Sequence, residues 1–214
     1  MEESDGGESP EHGIVVFSLD FELHWGVHDF ASVDDWKDRL LGARRAVPRL
    51  LDLMREYQIE ATWATVGMLF AQGRREMRAL SPGVRPSYQD SDLSPYPLSV
   101  GVDEKDDPFH FAPSLIRRIA DTPGQEVATH TFSHYYCLEA GQRKREFEAD
   151  LKSAIEAGRK LGVRPKSIVF PRNQANEKYL SVLARNDITS YRGVARAWPL
   201  RRDEYDRSAR GSLG

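Results

Sequence analysis

Apolar residues follow two different spacings along the chain, and the switches between them outline its elements. Ile14-Val15-Val16-Phe17-Ser18-Leu19 is a dense β-type run of the kind expected for a strand buried on both faces. From Asp34 the period changes. Trp36, Leu40, Ala43, Val47, Leu50, Leu51 and Met54 recur three or four apart, which predicts one long helix with its apolar stripe inward. Pro48 lies inside that stretch and predicts a kink or two pieces. Residues 60–66 read as a second strand, followed by helical spacing through Phe70, Met77 and Leu80. Between Ser81 and Pro113 the pattern turns irregular, with five prolines, and loops of this length are usually functional or disordered.

A short helix over 114–120 then precedes a strand over 125–129. A charged helix over 140–161 carries Phe147, Leu151, Ala154 and Ile155 on its inner side, with Gly162 where a C-terminal cap is expected. The last elements are a strand over 167–170, a helix over 177–185 and a strand over 188–191. Alternation of strand and helix predicts an α/β fold with a parallel sheet, in which chemistry gathers beyond the carboxyl ends of the strands. No repeat or linker divides the chain. Residues 1–13 are expected to be a disordered acidic tail, 14–195 the catalytic domain, and 196–214 a charged, poorly ordered end.

Composition narrows the function classes. With 40 % hydrophobic and 29 % charged residues, the chain is globular rather than disordered. A net charge of −3 excludes a protein that coats nucleic acid, and gives no bulk attraction to anionic lipid. No run approaches the roughly 18 apolar residues of a membrane span. The acidic N-terminus lacks the basic region and apolar core of a secretory signal, so the cytoplasm is expected. Cys137 stands alone and cannot form an internal disulfide.

Three strand ends carry the candidate chemistry. The first runs into Asp20-Phe21-Glu22-Leu23-His24-Trp25-Gly26, whose two carboxylates point the same way on extended chain. Like charges held together in a partly buried mouth call for a cation or a proton between them. The third strand runs into Thr129-His130-Thr131-Phe132-Ser133-His134, where a helical turn would bring both imidazoles to one side. An isolated pair at this spacing is more often coincidence than a metal site. Here two of only six histidines fall in one five-residue window at a strand end, which shifts the balance toward a site. The fourth strand leads to Phe170-Pro171-Arg172-Asn173, and an arginine at this rim could hold a carboxylate ionised. Two histidines and one carboxylate leave coordination positions open, as hydrolytic zinc sites do.

These residues resemble the polysaccharide deacetylase family. Residues 17–22 are similar to its first motif, an apolar strand ending in paired acids, residues 61–67 to the next strand, and residues 126–134 to its second motif. The resemblance implies a distorted barrel of seven β/α units, and this chain is read as lacking the C-terminal part. It implies a metal-dependent hydrolase that removes an N-acetyl group from an amino sugar of a surface polysaccharide or its precursor. Carried over, Asp20 is the general base, steadied by Arg172. Glu22, His130 and His134 become ligands of one divalent metal, zinc foremost, with cobalt, manganese or iron as alternatives. Phe21 separates the two acids that the family places side by side, and the family's late general-acid histidine has no counterpart after His134. His24, Trp25 and Tyr135 are candidates for sugar contact because an aromatic face suits the C–H side of a pyranose, and the 81–113 stretch for shaping the cleft. Hydrolysis of a non-carbohydrate amide or cyclic ureide, and glycan binding without catalysis, are the competing readings.

Overall fold

The structure, a computed structural model, describes residues 13 and 15–193. Five parallel strands pair in chain order: β1 (Ser18–Phe21), β2 (Ala61–Thr65), β3 (Gln125–Thr129), β4 (Ser167–Val169) and β5 (Ser190–Arg192). Parallel neighbours need long crossovers, and α1 (Val33–Glu56), α2 (Arg74–Leu80), α3 (Pro113–Ala120), α4 (Lys144–Lys160) and α5 (Leu180–Arg185) lie in them. The sheet curls. Arg192 on β5 donates to Ser18 Oγ and Asp20 Oδ2 on β1, each at 3.0 Å, although the two strands are at opposite ends of the pairing order. The architecture is a half-barrel of β/α units, consistent with an incomplete version of the expected barrel. The expected acidic tail, 1–13, except for residue 13, and the expected charged end, 196–214, lie outside the described residues.

Most predicted elements are present, with differences at the first strand, at Pro48, and at α4, which starts at Lys144 rather than at residue 140. The first strand begins at Ser18 rather than Ile14, and Val15 and Val16 are 78 % and 75 % exposed instead of buried on both faces. They precede the paired segment, and β1 has a strand neighbour on one side only among the described residues. Helix α1 runs unbroken through Pro48: the ring removes one N–H, but Val47 and Leu51 on either side are anchored in the core. Ser32 caps its start, its Oγ accepting the Asp35 N–H at 3.1 Å. The stretch after Leu80 is irregular as expected, but well connected. Helix α4 ends as predicted, with Gly162 in the left-handed region at φ 79° just past it.

Register places the strand ends side by side. Phe21 pairs with Thr65, and Thr65 with Thr129, so β1, β2 and β3 finish at one level. Glu22 and His130 are therefore the first residues past the same rim.

Candidate metal centre

Beyond that rim the chain turns sharply at both places. Leu23 takes φ 46° and starts a short 3-10 turn, Leu23–Gly26, which swings Glu22 over the end of the sheet. After β3, Thr131 (φ 64°) and His134 (φ 55°) make an irregular loop, not the helical turn expected from the spacing of the histidines. The three side chains nevertheless converge. Glu22 Oε2 lies 3.3 Å from His130 Nε2 and 3.1 Å from His134 Nε2. The histidines are 1 % and 2 % exposed and the Glu22 side chain 29 %, so the group opens to solvent on the glutamate side.

The donor set fits a small divalent cation. A tetrahedral ion with bonds of about 2.0–2.1 Å separates its ligand atoms by about 3.3 Å, close to the two Glu22–histidine distances, and all three atoms lie within 4.8 Å of one another. Proton placement points the same way. His130 Nδ1 faces the Val169 carbonyl at 2.8 Å and must carry the ring's proton to donate there. That leaves Nε2, on the Glu22 side of the ring, as the atom that would face a cation between the two residues. Burial pushes His134 down to about 4, despite the opposing pull of Glu22, so its ring is neutral near pH 7. Its Nδ1 is hydrogen-bonded to Tyr136 Oη at 3.1 Å, which orients the ring as outer partners of metal ligands do. Without a cation, burial opposes the Glu22 charge, but Nε2–H donation from the two imidazoles more than offsets it and holds the carboxyl well below its ordinary range; a bound cation would take the place of those protons.

Asp150 on α4 holds the histidine loop in shape. Its buried carboxylate accepts the Phe132 N–H (2.6 Å), the Ser133 N–H (3.2 Å) and the Ser133 hydroxyl. The 81–113 stretch braces the loop from outside: Tyr136 N–H donates to Tyr88 Oη at 2.8 Å, and Ser87 donates to Glu146 through both N–H and Oγ. Burial outweighs the donors around Asp150 and pushes its carboxyl up to about 6. Because that value lies above the unfolded 3.8, the contribution of this group to stability is complete below about pH 4 and is lost as pH rises through 6. The unfolding free energy of wild type relative to Asp150→Asn is therefore expected to fall by roughly 2–3 kcal/mol between pH 4 and pH 7. Urea titrations across that range check it, and a difference that does not change with pH would remove this role.

The remaining expected site residues are distributed otherwise. Asp20 and Glu22 do not share one environment: Asp20 is on the strand, exposed, and bound by Arg192 Nη2 at 3.0 Å. Arg172 does not reach Asp20. Its backbone takes φ 51°, followed by Asn173 at φ 53°, and this turn sends the guanidinium over the Tyr136 ring (4.6 Å to the centroid) and onto Asp29 at 2.5 Å. His24, Trp25 and Tyr135 are buried and already engaged, so they present no face to a sugar. His24 is bonded to His110 Nε2 (2.8 Å) and the Ala31 carbonyl (2.9 Å), Trp25 Nε1 donates to the His110 carbonyl (2.9 Å), and Tyr135 Oη donates to Gln142 (2.9 Å). Sequence reasoning missed Arg192, Tyr136 and Asp29. It also missed His28, whose Nδ1 donates to the Trp25 carbonyl (2.8 Å) and whose buried Nε2 has no hydrogen-bond partner among the described residues. His28 and Asp29 follow Glu22 within seven positions, a density of titratable groups that was the available signal.

The sequence profile described as polysaccharide deacetylase matches residues 32–191. The chain belongs to the polysaccharide deacetylase family. The matched region includes His130, His134 and Arg172 but starts after Asp20 and Glu22; Glu22 joins the group through its contacts with both histidines, whereas Asp20 contacts Arg192. No curated protein matches the chain at a significant level. Among solved structures, one from Mycobacterium smegmatis, described as a polysaccharide deacetylase, is 19 % identical with a TM-score of 0.52, over 81 % of this chain and 48 % of its own. A family 4 carbohydrate esterase from Streptomyces lividans, solved with acetate, is 18 % identical with a TM-score of 0.49, over 94 % of this chain and 74 % of its own. A mutant of a Bacillus anthracis family 4 pseudoenzyme with restored activity is 11 % identical with a TM-score of 0.50, over 86 % of this chain and 46 % of its own. The chain thus spans about half the length of the first of these structures. At such identities the two likenesses with TM-scores of 0.52 and 0.50 bear on the fold alone.

Proposed function

We propose that this deacetylase-family chain is a metal-dependent hydrolase that removes the N-acetyl group from an amino sugar of a surface polysaccharide or its precursor, in the cytoplasm. The observation that carries the proposal is the convergence of Glu22, His130 and His134 at the open end of the half-barrel. One carboxylate and two imidazoles would hold a zinc-like ion and leave room for water and an acyl oxygen. Such an ion supplies a Lewis acid for an amide carbonyl and lowers the pKa of water. Asp20 takes the proton from the attacking water, and Arg192 holds its carboxylate in place with a 3.0 Å contact between β5 and β1. His130 and His134 stay fixed through the Val169 carbonyl and Tyr136, so little reorganisation accompanies the reaction. Family membership supports an acetylated sugar as substrate. The lone, buried Cys137 is in keeping with a reducing compartment.

The test is acetate release from N-acetylglucosamine oligomers by the zinc-loaded protein, before and after chelation. Release that stops with chelator and returns with zinc is expected. A chain that holds one zinc per molecule and frees no acetate from any N-acetylated amino sugar would overturn the substrate assignment.

A further inference from the structure

Glu22 reaches the two histidines by folding back over its own turn. The carboxylate end of its side chain lies directly on Gly26, four residues later. A Cβ placed on Gly26 would sit 2.0 Å from Glu22 Cδ, 2.3 Å from Oε1 and 2.5 Å from Cγ. These distances are far inside van der Waals contact. Gly26 does not have a left-handed φ, so glycine is not required there for backbone conformation, and alanine fits the main chain. What the position lacks, and uses, is the volume of one methyl group.

The turn itself cannot step aside to admit that methyl. Trp25, next to Gly26, is buried and tied to the His110 carbonyl. His24 is bonded to His110, and His110 Nδ1 in turn to Asp107 Oδ2 at 2.8 Å, with the His24 N–H on the Phe109 carbonyl at 3.3 Å. The backbone of the turn is therefore clamped to the 103–111 segment. The carboxylate, at the far end of a flexible side chain, is the part free to move.

We propose that Gly26 is a positioning residue of the metal centre, and that the space left by its missing side chain lets the Glu22 carboxylate stand against His130 and His134. The proposal rests on the reading that these three residues form one centre. Its consequence is a selective defect: one added methyl displaces a ligand while leaving the fold in place.

The test compares Gly26→Ala, Glu22→Ala and the double variant with wild type, using zinc alone and a chromophoric chelator as competitor. Gly26→Ala is expected to lower zinc affinity at least tenfold, to about the level of Glu22→Ala, and to keep its metal-free melting temperature near that of wild type. In the double variant Gly26→Ala should add no further loss, because the group it displaces is already gone. In the metal-free proteins, the imidazole nitrogen shifts of His130 and His134 at fixed pH should change in Gly26→Ala as they do in Glu22→Ala. Wild-type affinity in Gly26→Ala, or additive losses in the double variant, would overturn the proposal. Should Gly26→Ala fail to fold, the double variant is expected to fold, since the overlap leaves with the carboxylate, and its failure would overturn the proposal as well. If wild type takes up no zinc, the metal reading falls, and the metal-free imidazole shifts still decide the part played by Gly26.

Discussion

Replacing His134 or His130 with alanine is expected to abolish stoichiometric zinc binding while the protein stays folded. Each histidine would supply one of three ligand atoms, and both rings are buried, so no neighbouring side chain takes a lost place without rearrangement. Loss of an outer partner of a metal ligand typically lowers affinity 10–100-fold, and loss of the ligand itself should exceed that. Each substitution also leaves an outer group without its partner, the Val169 carbonyl for His130 and the Tyr136 hydroxyl for His134. A modest loss of stability, about 1–3 kcal/mol, should accompany the loss of metal. Elemental analysis of the purified variants, beside circular dichroism, reads both effects. Variants that keep one zinc per chain would remove these residues from the centre.

Asp20→Asn is expected to keep zinc and lose turnover. The side chain lies on β1, is exposed, and is bonded to Arg192 rather than to the histidines, so its charge is not needed to hold the cation. General-base catalysis is worth roughly 10²–10⁴ in rate, and kcat should fall by about that much with zinc content unchanged. The arginines separate two accounts of this residue. Arg192→Gln should lower kcat in the same direction, because Arg192 is the cation that touches Asp20. Arg172→Gln should not reproduce it, because Arg172 is engaged with Asp29 and Tyr136. Unchanged acetate release by Asp20→Asn would exclude it as the base.

The candidate trio was legible in the sequence because Glu22 and His130 directly follow strands and His134 lies four residues further in the same loop, and strand ends are where a parallel α/β sheet exposes its chemistry. Apolar runs located β2, β3 and β4 to within a residue or two for the same reason. The arginine partner was not legible. Arg172 stands at a recognisable strand end, but two consecutive left-handed residues turn it away, and no local pattern announces such a turn at non-glycine positions. Arg192 reaches Asp20 only because the sheet curls until its last strand meets its first, a closure that periodicity does not encode. His24, Trp25 and Tyr135 had the right chemistry for sugar contact. Their burial depends on the 81–113 stretch and the loop after β3, whose packing leaves no trace in spacing.

Strand β2 contributes nothing to the ligand set, yet it lies between the two strands that do. Its pairing on both sides fixes the distance from the Glu22 turn to the histidine loop, so the centre forms only after three distant stretches of chain have zipped together. An extended chain has no preformed pocket for the cation, and occupancy accordingly favours the native state by mass action, about 2.7 kcal/mol when free ion stands at a hundred times its dissociation constant. Withdrawal of the ion should therefore loosen the whole strand triplet in concert, and with it the mouth where an acyl group would enter.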